Sequence, residues 1–201
     1  MSAKPDAPAT RRNRDAILAV IADEFSGASS VLEIGSGSGQ HAVFFGSAMP
    51  WLQWQTSDRR GNHEGINAWL AAEGTENVLA PLELDVLETA TVPGSHDAIF
   101  SANTAHIMSF PAVECMFSLV GKTLEPGGVF CLYGPFNIDG EFTSESNARF
   151  DRSLREQDAD MGIRDLRDLE RLAAANGLEA GRRYAMPANN MLLAWQRQGG
   201  Q

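Results

Sequence analysis

Apolar and polar residues repeat along this chain with two periods, and the changes between them mark out the elements. Residues 11–25 carry Ile17, Leu18, Ile21, Ala22 and Phe25 at helical spacing, which predicts an amphipathic helix ahead of the first strand. The apolar run at 31–34 predicts a buried strand, broken by Gly35, Gly37 and Gly39 and followed by a helix over 42–48. Further strands are predicted at 52–56, 78–84, 97–101 and 129–133, with helices over 63–73 and 112–124. Pro93-Gly94 and Pro126-Gly127-Gly128 turn the chain into the last two of these strands. Strands that alternate with helices build right-handed βαβ units, so the fold class is α/β, a mostly parallel sheet covered by helices on both faces.

After the fifth strand the rhythm breaks. Residues 134–164 are polar and punctuated by Phe136, Phe142 and Phe150. A connection of that length in a compact domain is functional or disordered. The aromatic anchors favour an ordered substrate lid with a short helix over 146–156. A helix over 165–176 stops at Gly177. Strands at 181–186 and 191–197, joined through Asn189-Asn190, then bring the sheet to seven and end it in an antiparallel pair. Residues 1–10, polar with Pro5 and Pro8, are expected to be disordered and to carry no signal peptide. Residues 11–201 are expected to form a single domain.

Composition narrows the function class. Of 201 residues 43% are hydrophobic and 21% charged, the balance of a soluble globular protein. The net charge of −10 disfavours a long phosphate-tracking surface, so nucleic acid is not an expected partner. Cys115 and Cys131 lie in apolar surroundings without C-x-x-C spacing, which suits reduced thiols in the cytoplasm. The longest apolar run, 16–22, falls far short of the ~20 residues of a membrane span. No His/Cys/Asp spacing suits a metal. Oligomeric state leaves no mark in the sequence.

The candidate chemistry begins at Glu33-Ile34-Gly35-Ser36-Gly37-Ser38-Gly39-Gln40-His41. A strand that breaks into a glycine-rich turn and then a helix opens a nucleotide-cofactor fold. In the G-x-G-x-x-G dinucleotide fingerprint the third glycine would fall at Gln40, and Gly39 stands one residue early. Glu33 would also set a carboxylate beside a pyrophosphate. An acid there suits S-adenosylmethionine, which carries a sulfonium and an ammonium but no phosphate. The order acid-x-G-x-G-x-G resembles motif I of the class I methyltransferases.

Around that loop, Asp58 ends the second strand, where it either accepts from both ribose hydroxyls or caps the next helix. Asp85, with Val86 beside it, either accepts from the adenine amino group or serves a turn. Glu33 would reach the methionine ammonium through water. Gly35, Ser36, Gly37, Gly39, Gln40, His41 and Asn103 complete the cofactor candidates. His106, with Asn103 and Tyr133, is the catalytic candidate, because it follows the fourth strand and titrates near neutrality. Arg12, Asn13, Asn137, Arg164 and Asn190 are the substrate candidates.

Arg12-Asn13, Ser36 to His41, Trp54-Gln55-x-Ser57-Asp58, Leu84-Asp85-Val86 and Asn103-x-x-His106-Ile107 together resemble one family, the methyltransferase-like twenty-six group. Tyr133 to Phe136, Ser146-Asn147-x-x-Phe150-Asp151, Gly162 to Asp165 and Met186 to Asn190 extend the match over about residues 11–197. Two departures stand out: Arg11 where an acid often precedes Arg-Asn, and 157–161 in place of a usual Asp-Pro-x-Trp. The resemblance implies the class I fold and S-adenosylmethionine binding, with no substrate. The leading expectation is a methyltransferase acting on a small molecule. The alternative is a non-catalytic sensor or partner subunit that binds S-adenosylmethionine or S-adenosylhomocysteine.

Overall fold

The computed structural model describes residues 4–199. Its strands are β1 (Ser30–Ile34), β2 (Gln53–Asp58), β3 (Val78–Glu83), β4 (His96–Ala102), β5 (Leu124–Gly134), β6 (Phe136–Asn137), β7 (Arg164–Asp165), β8 (Leu178–Met186) and β9 (Asn190–Arg197). Seven of them form one sheet in the order β3-β2-β1-β4-β5-β9-β8. β1 to β5 pair in parallel, and β9 runs antiparallel to both β5 and β8. The chain winds outward from β1 to β3 and then returns to β4. The reversal opens a crevice between the carboxyl ends of β1 and β4, where open α/β sheets bind ligands.

Both faces of the sheet are buried, and the side-chain period of two divides them. Val31, Phe100, Cys131 and Tyr133 face α1 (Pro8–Glu24) and α2 (Gln40–Ala48), with Leu70 of α3 (His63–Glu73) at their margin. Leu32, Ile34, Ile99, Phe130 and Leu132 face α4 (Phe110–Thr123) and α6 (Leu166–Ala175). Phe45, Trp54 and Phe100 meet with ring centroids 5.5–5.8 Å apart, in the first cluster. Phe117, Phe130 and Trp195 do the same in the second, at 5.5–5.6 Å. Such contacts fix helices to a sheet more firmly than area alone.

The expected elements are present, with shifted ends. α1 starts at Pro8 rather than Arg11, with proline in the first turn where its missing N–H is harmless. The expectation of disorder over 1–10 therefore fails from Lys4 onward; residues 1–3 lie outside the described residues. Ala7 N–H donates to Gln40 Oε1 (2.6 Å) and Trp69 Nε1–H to the Pro5 carbonyl (2.8 Å). Lys4 pairs with Glu73 and lies over the Trp69 ring. These partners sit on α2 and α3, so nothing local in the polar segment announces them.

In the 134–164 connection, α5 (Glu145–Gln157) is capped by Ser144, whose hydroxyl accepts from Asn147 N–H. β6 and β7, which the pattern does not announce, form a small parallel sheet of their own. β8 begins three residues early and carries a bulge between Ala180 and Arg183, which interrupts its alternation. Among the described residues no helix is long and apolar enough to cross a membrane.

Candidate cofactor and acceptor site

At the end of β1 the chain enters the left-handed region three times, at Gly35, Gly37 and Gly39 (φ +76°, +58° and +87°). Gly35 is also pressed against the loop after β4: a Cβ there would lie 2.6 Å from Thr104 Cγ2. Gly37 faces open space, with nothing within 4 Å of a Cβ. The loop thus shows bare backbone to solvent on one side and abuts the β4 loop on the other.

Asp58 closes β2 beneath this loop. Its Oδ2 accepts from Gly37 N–H at 2.7 Å, and its Oδ1 accepts from Arg59 N–H (2.7 Å) and Asn62 Nδ2 (2.8 Å). The residue both holds the glycine loop and organises the turn into α3. A carboxylate has about four acceptor positions, so room remains for a ligand hydroxyl.

Glu33 is placed differently from the expectation of a water-linked ammonium contact. The strand period turns it toward the α1–α2 side with Val31, and it is 2% exposed. Its Oε2 accepts from Ser36 Oγ (2.8 Å) and Trp54 Nε1 (3.1 Å), and Ser57 Oγ donates to its carbonyl (2.6 Å). Burial pushes its carboxyl up to about 7, against the lowering effect of the Trp54 and Ser36 bonds and with a small push from Asp58. Glu33 therefore braces the loop from below. Trp54 had appeared only as part of the family resemblance, and the β1–β2 register, Glu33 beside Thr56, explains why it reaches this acid.

Gln40 and His41 open α2. Gln40 Oε1 takes Ala7 N–H and Ser38 Oγ–H (3.1 Å). His41 Nε2–H donates to Asn13 Oδ1 at 2.9 Å while its ring stacks on Phe45 at 5.0 Å. Burial, and then the Arg14 charge, lower His41 to about 4, so it is neutral at physiological pH. Asn13, expected to touch substrate, is instead buried between α1 and α2, with its side-chain amide at the Tyr133 hydroxyl. Arg12, one position earlier, is exposed. Asp85 Oδ1 accepts from Leu87 N–H (3.0 Å), the turn role, and Val86 is packed into the second core cluster.

The β4 loop is clamped from two sides. Ser101 Oγ donates to the Ile34 carbonyl (2.7 Å) and meets Thr104 Oγ1 (2.7 Å). Asn103 sits at φ +59° with its N–H on the Tyr133 carbonyl (2.9 Å). A non-glycine residue in that region costs about 1–3 kcal/mol, and such strain gathers at functional sites. From the segment before β7, Gly162 N–H donates to the His106 carbonyl (2.9 Å). Arg164 Nε donates to the Ala105 carbonyl (2.9 Å), and its Nη2 to the carbonyls of Asp160 (2.9 Å) and Met108.

Arg164, expected to touch substrate, ties β7 to the loop after β4 through these carbonyls. Carbonyls left over between β4 and α4 need donors, and a guanidinium supplies several at once. Asn190 likewise spends its amide on its own turn, donating to the carbonyls of Pro187 (3.1 Å) and Ala188 (3.4 Å). Asn137 keeps a buried Oδ1 without a partner among the described residues.

His106 lies between these clamps. A Cβ on Gly134 would be 3.7 Å from its Nδ1, and the Phe150 ring of α5 meets it edge-on at 5.2 Å. Burial, and then Arg164, lower it to about 4, so its imidazole is neutral. The geometry therefore joins Gly35, Thr104, His106 and Phe150 in sequence from the glycine loop to α5. Phe150 and Gly162 carried no role in the sequence reading beyond lid and resemblance. A cleft of about 430 Å³ also opens at the opposite end of the sheet, walled by Glu24, Asp97 and Gly128. Asp97 there is bonded by Ser29 and Ser30, and Glu24 by Tyr184 and Arg182.

The fold is similar to that of an O-methyltransferase family protein from Burkholderia thailandensis (TM-score 0.82, 17% identity, 96% of this chain and 58% of that one). It is similar also to human N-acetylserotonin methyltransferase in complex with S-adenosylmethionine (TM-score 0.80, 15% identity, 96% and 53%). Mitomycin 7-O-methyltransferase is a third (TM-score 0.80, 19% identity, 94% and 54%). The sheet and its helical layers are those of the class I methyltransferases, and this chain spans a little over half the length of these solved structures. A family model described as a protein of unknown function, DUF938, matches residues 4–197, and the chain belongs to that family.

Proposed function

We propose that this chain is an S-adenosylmethionine-dependent methyltransferase acting on a small molecule in the cytoplasm, within the methyltransferase-like twenty-six group that its motifs resemble. The observation that carries the reading is the glycine loop 35–39, bare toward solvent, tied to Asp58 through Gly37 N–H and set against the β4 loop that bears His106. A site for a dinucleotide would call for a third glycine at Gln40, whose side chain instead anchors the N-terminal segment.

In this reading the cofactor supplies an activated methyl group. The backbone of Gly35 to Gly39 would hold it, the remaining acceptor position of Asp58 would take a ribose hydroxyl, and the second carboxylate oxygen of Asp85 would accept from the adenine amino group. Asn103 and Tyr133 orient the acceptor, and His106 accepts its hydrogen bond. Holding two reactants in line supplies up to ~7–11 kcal/mol of the barrier, so no strong base is required. A neutral imidazole fits that demand.

S-adenosylhomocysteine should raise the melting temperature, since a ligand that binds only the native state stabilises it by mass action, and NAD should not. Asp58→Ala should weaken S-adenosylhomocysteine binding in calorimetry by roughly 1.5–3 kcal/mol, about ten- to a hundred-fold. Stabilisation by NAD alone, or unchanged affinity in a folded Asp58→Ala protein, would count against the reading. Transfer of labelled methyl groups into a metabolite extract then identifies the acceptor.

A further inference from the structure

We infer that the acceptor is an uncharged, ring-bearing molecule that lies against Phe150 and Ile107 and donates an O–H or N–H to the His106 imidazole. This deepens the methyltransferase reading and rests on it. Four observations bear on the choice of chemistry.

First, an apolar rim is exposed beside His106, which is itself only 6% exposed: Ile107 is 50% exposed and Phe150 41%. Phe150 stands at the edge of the buried stripe of α5, formed by Asn147, Asp151 and Leu154, yet its ring packs on His106 rather than into a core. An aromatic face left open beside a polar tip favours a ligand with its own flat apolar surface.

Second, the ring nitrogens of His106 have no hydrogen-bond partner among the described residues, and Arg164 is the one charged group acting on its titration. A neutral imidazole offers one acceptor nitrogen and one N–H. It can therefore receive a hydroxyl or amine hydrogen, and it gives a carboxylate no full charge to pair with.

Third, the nearby cation is largely spent. Arg164 gives three of its N–H groups to backbone carbonyls, and Asp151 and Asp160 together oppose the charges of Arg164 and its neighbour Arg155. An anionic acceptor would have to compete for what is left. Fourth, the other arginines of α5 do not turn toward the rim: Arg155 pairs with Asp151 at 2.8 Å, and Arg149 with Glu145. Arg152 lies two positions beyond Phe150, on the far side of a helix with 3.6 residues per turn.

The test uses the full-length protein and three probes of one shape: β-naphthol, β-naphthoate and β-methoxynaphthalene. Binding is measured by calorimetry with and without S-adenosylhomocysteine, whose own affinity is measured separately. β-Naphthol should bind at least about ten-fold more tightly than either analogue, since one lacks the donor and the other adds a charge. Phe150→Ala, at an exposed position, should weaken β-naphthol by at least about ten-fold and leave S-adenosylhomocysteine affinity nearly unchanged. Equal or tighter binding of β-naphthoate would assign the rim to anions through Arg164 and overturn the proposal. No measurable β-naphthol binding at millimolar concentration, or an unchanged affinity in Phe150→Ala, would overturn it too. Failure of S-adenosylhomocysteine to bind wild-type protein would instead overturn the methyltransferase reading, while the preference among the three probes still decides the chemistry of the rim.

Discussion

Gly35→Ala should abolish measurable cofactor binding while leaving a folded protein of lower stability. The position combines two demands that a methyl group cannot meet. Its φ of +76° lies in the left-handed region, which costs an L-residue roughly 1–2 kcal/mol. A Cβ would also stand 2.6 Å from Thr104 Cγ2, and forcing an extra methyl into a packed contact costs about 1–3 kcal/mol. The combined loss of roughly 2–5 kcal/mol falls on a contact that sets the glycine loop against the β4 loop. Thr104 is held by Ser101, and Ser101 by the Ile34 carbonyl, so relief by a side-chain shift disturbs the whole crevice. Urea unfolding and calorimetry on the same preparation check the two halves. Cofactor affinity within three-fold of wild type would show that the loop can yield elsewhere. Gly37→Ala is the control, since it shares the positive φ but meets open space.

The second large effect is on the pH dependence of stability, where three buried groups oppose one another. Glu33 is raised to about 7, so the folded protein holds that proton more tightly than the unfolded chain. Its contribution is complete below its ordinary value of 4.5 and is lost as pH rises through 7. His41 and His106 are lowered to about 4 from an ordinary 6.5, which has the opposite sign. Their contribution is complete above 6.5 and is lost as pH falls through 4. At 1.36 kcal/mol per pH unit, each group carries about 3 kcal/mol.

The wild-type profile between these limits is therefore flattened by partial cancellation. Glu33→Gln keeps an acceptor for Ser36 Oγ and Trp54 Nε1 and removes the titration. The variant should lose about 2–3 kcal/mol more than wild type when taken from about pH 8 to about pH 5. Urea midpoints at the two pH values measure this directly. Parallel profiles would mean that Glu33 does not change its protonation state over that range.

The architecture was legible because it depends on short-range periodicity. The switch between periods of 3.6 and two placed every strand of the main sheet and all six helices, and the interruption at 134–164 marked a segment outside the βαβ rhythm. The ends were less legible, since α1 begins on a proline bonded to nothing nearby and β8 hides behind a bulge. The glycine spacing also marked the loop at the end of β1.

The roles of individual polar residues were not legible, because each is decided by a partner far along the chain. Glu33 meets Trp54 across 21 residues, His41 meets Asn13 across 28, and Arg164 meets the Ala105 carbonyl across 59. Local pattern says that such a residue is polar and near the crevice; whether it faces a ligand or a neighbouring backbone group depends on strand register and loop path. What the sequence by itself determined was the order of elements and the glycine loop at the end of β1. Tertiary structure alone decided that Glu33, Asn13, Arg164 and Asn190 bond to groups far along the chain or in their own turn, and that His106 packs edge-on against Phe150. The reason is that burial leaves every polar group in need of a partner, and only the folded chain shows which partner is within reach.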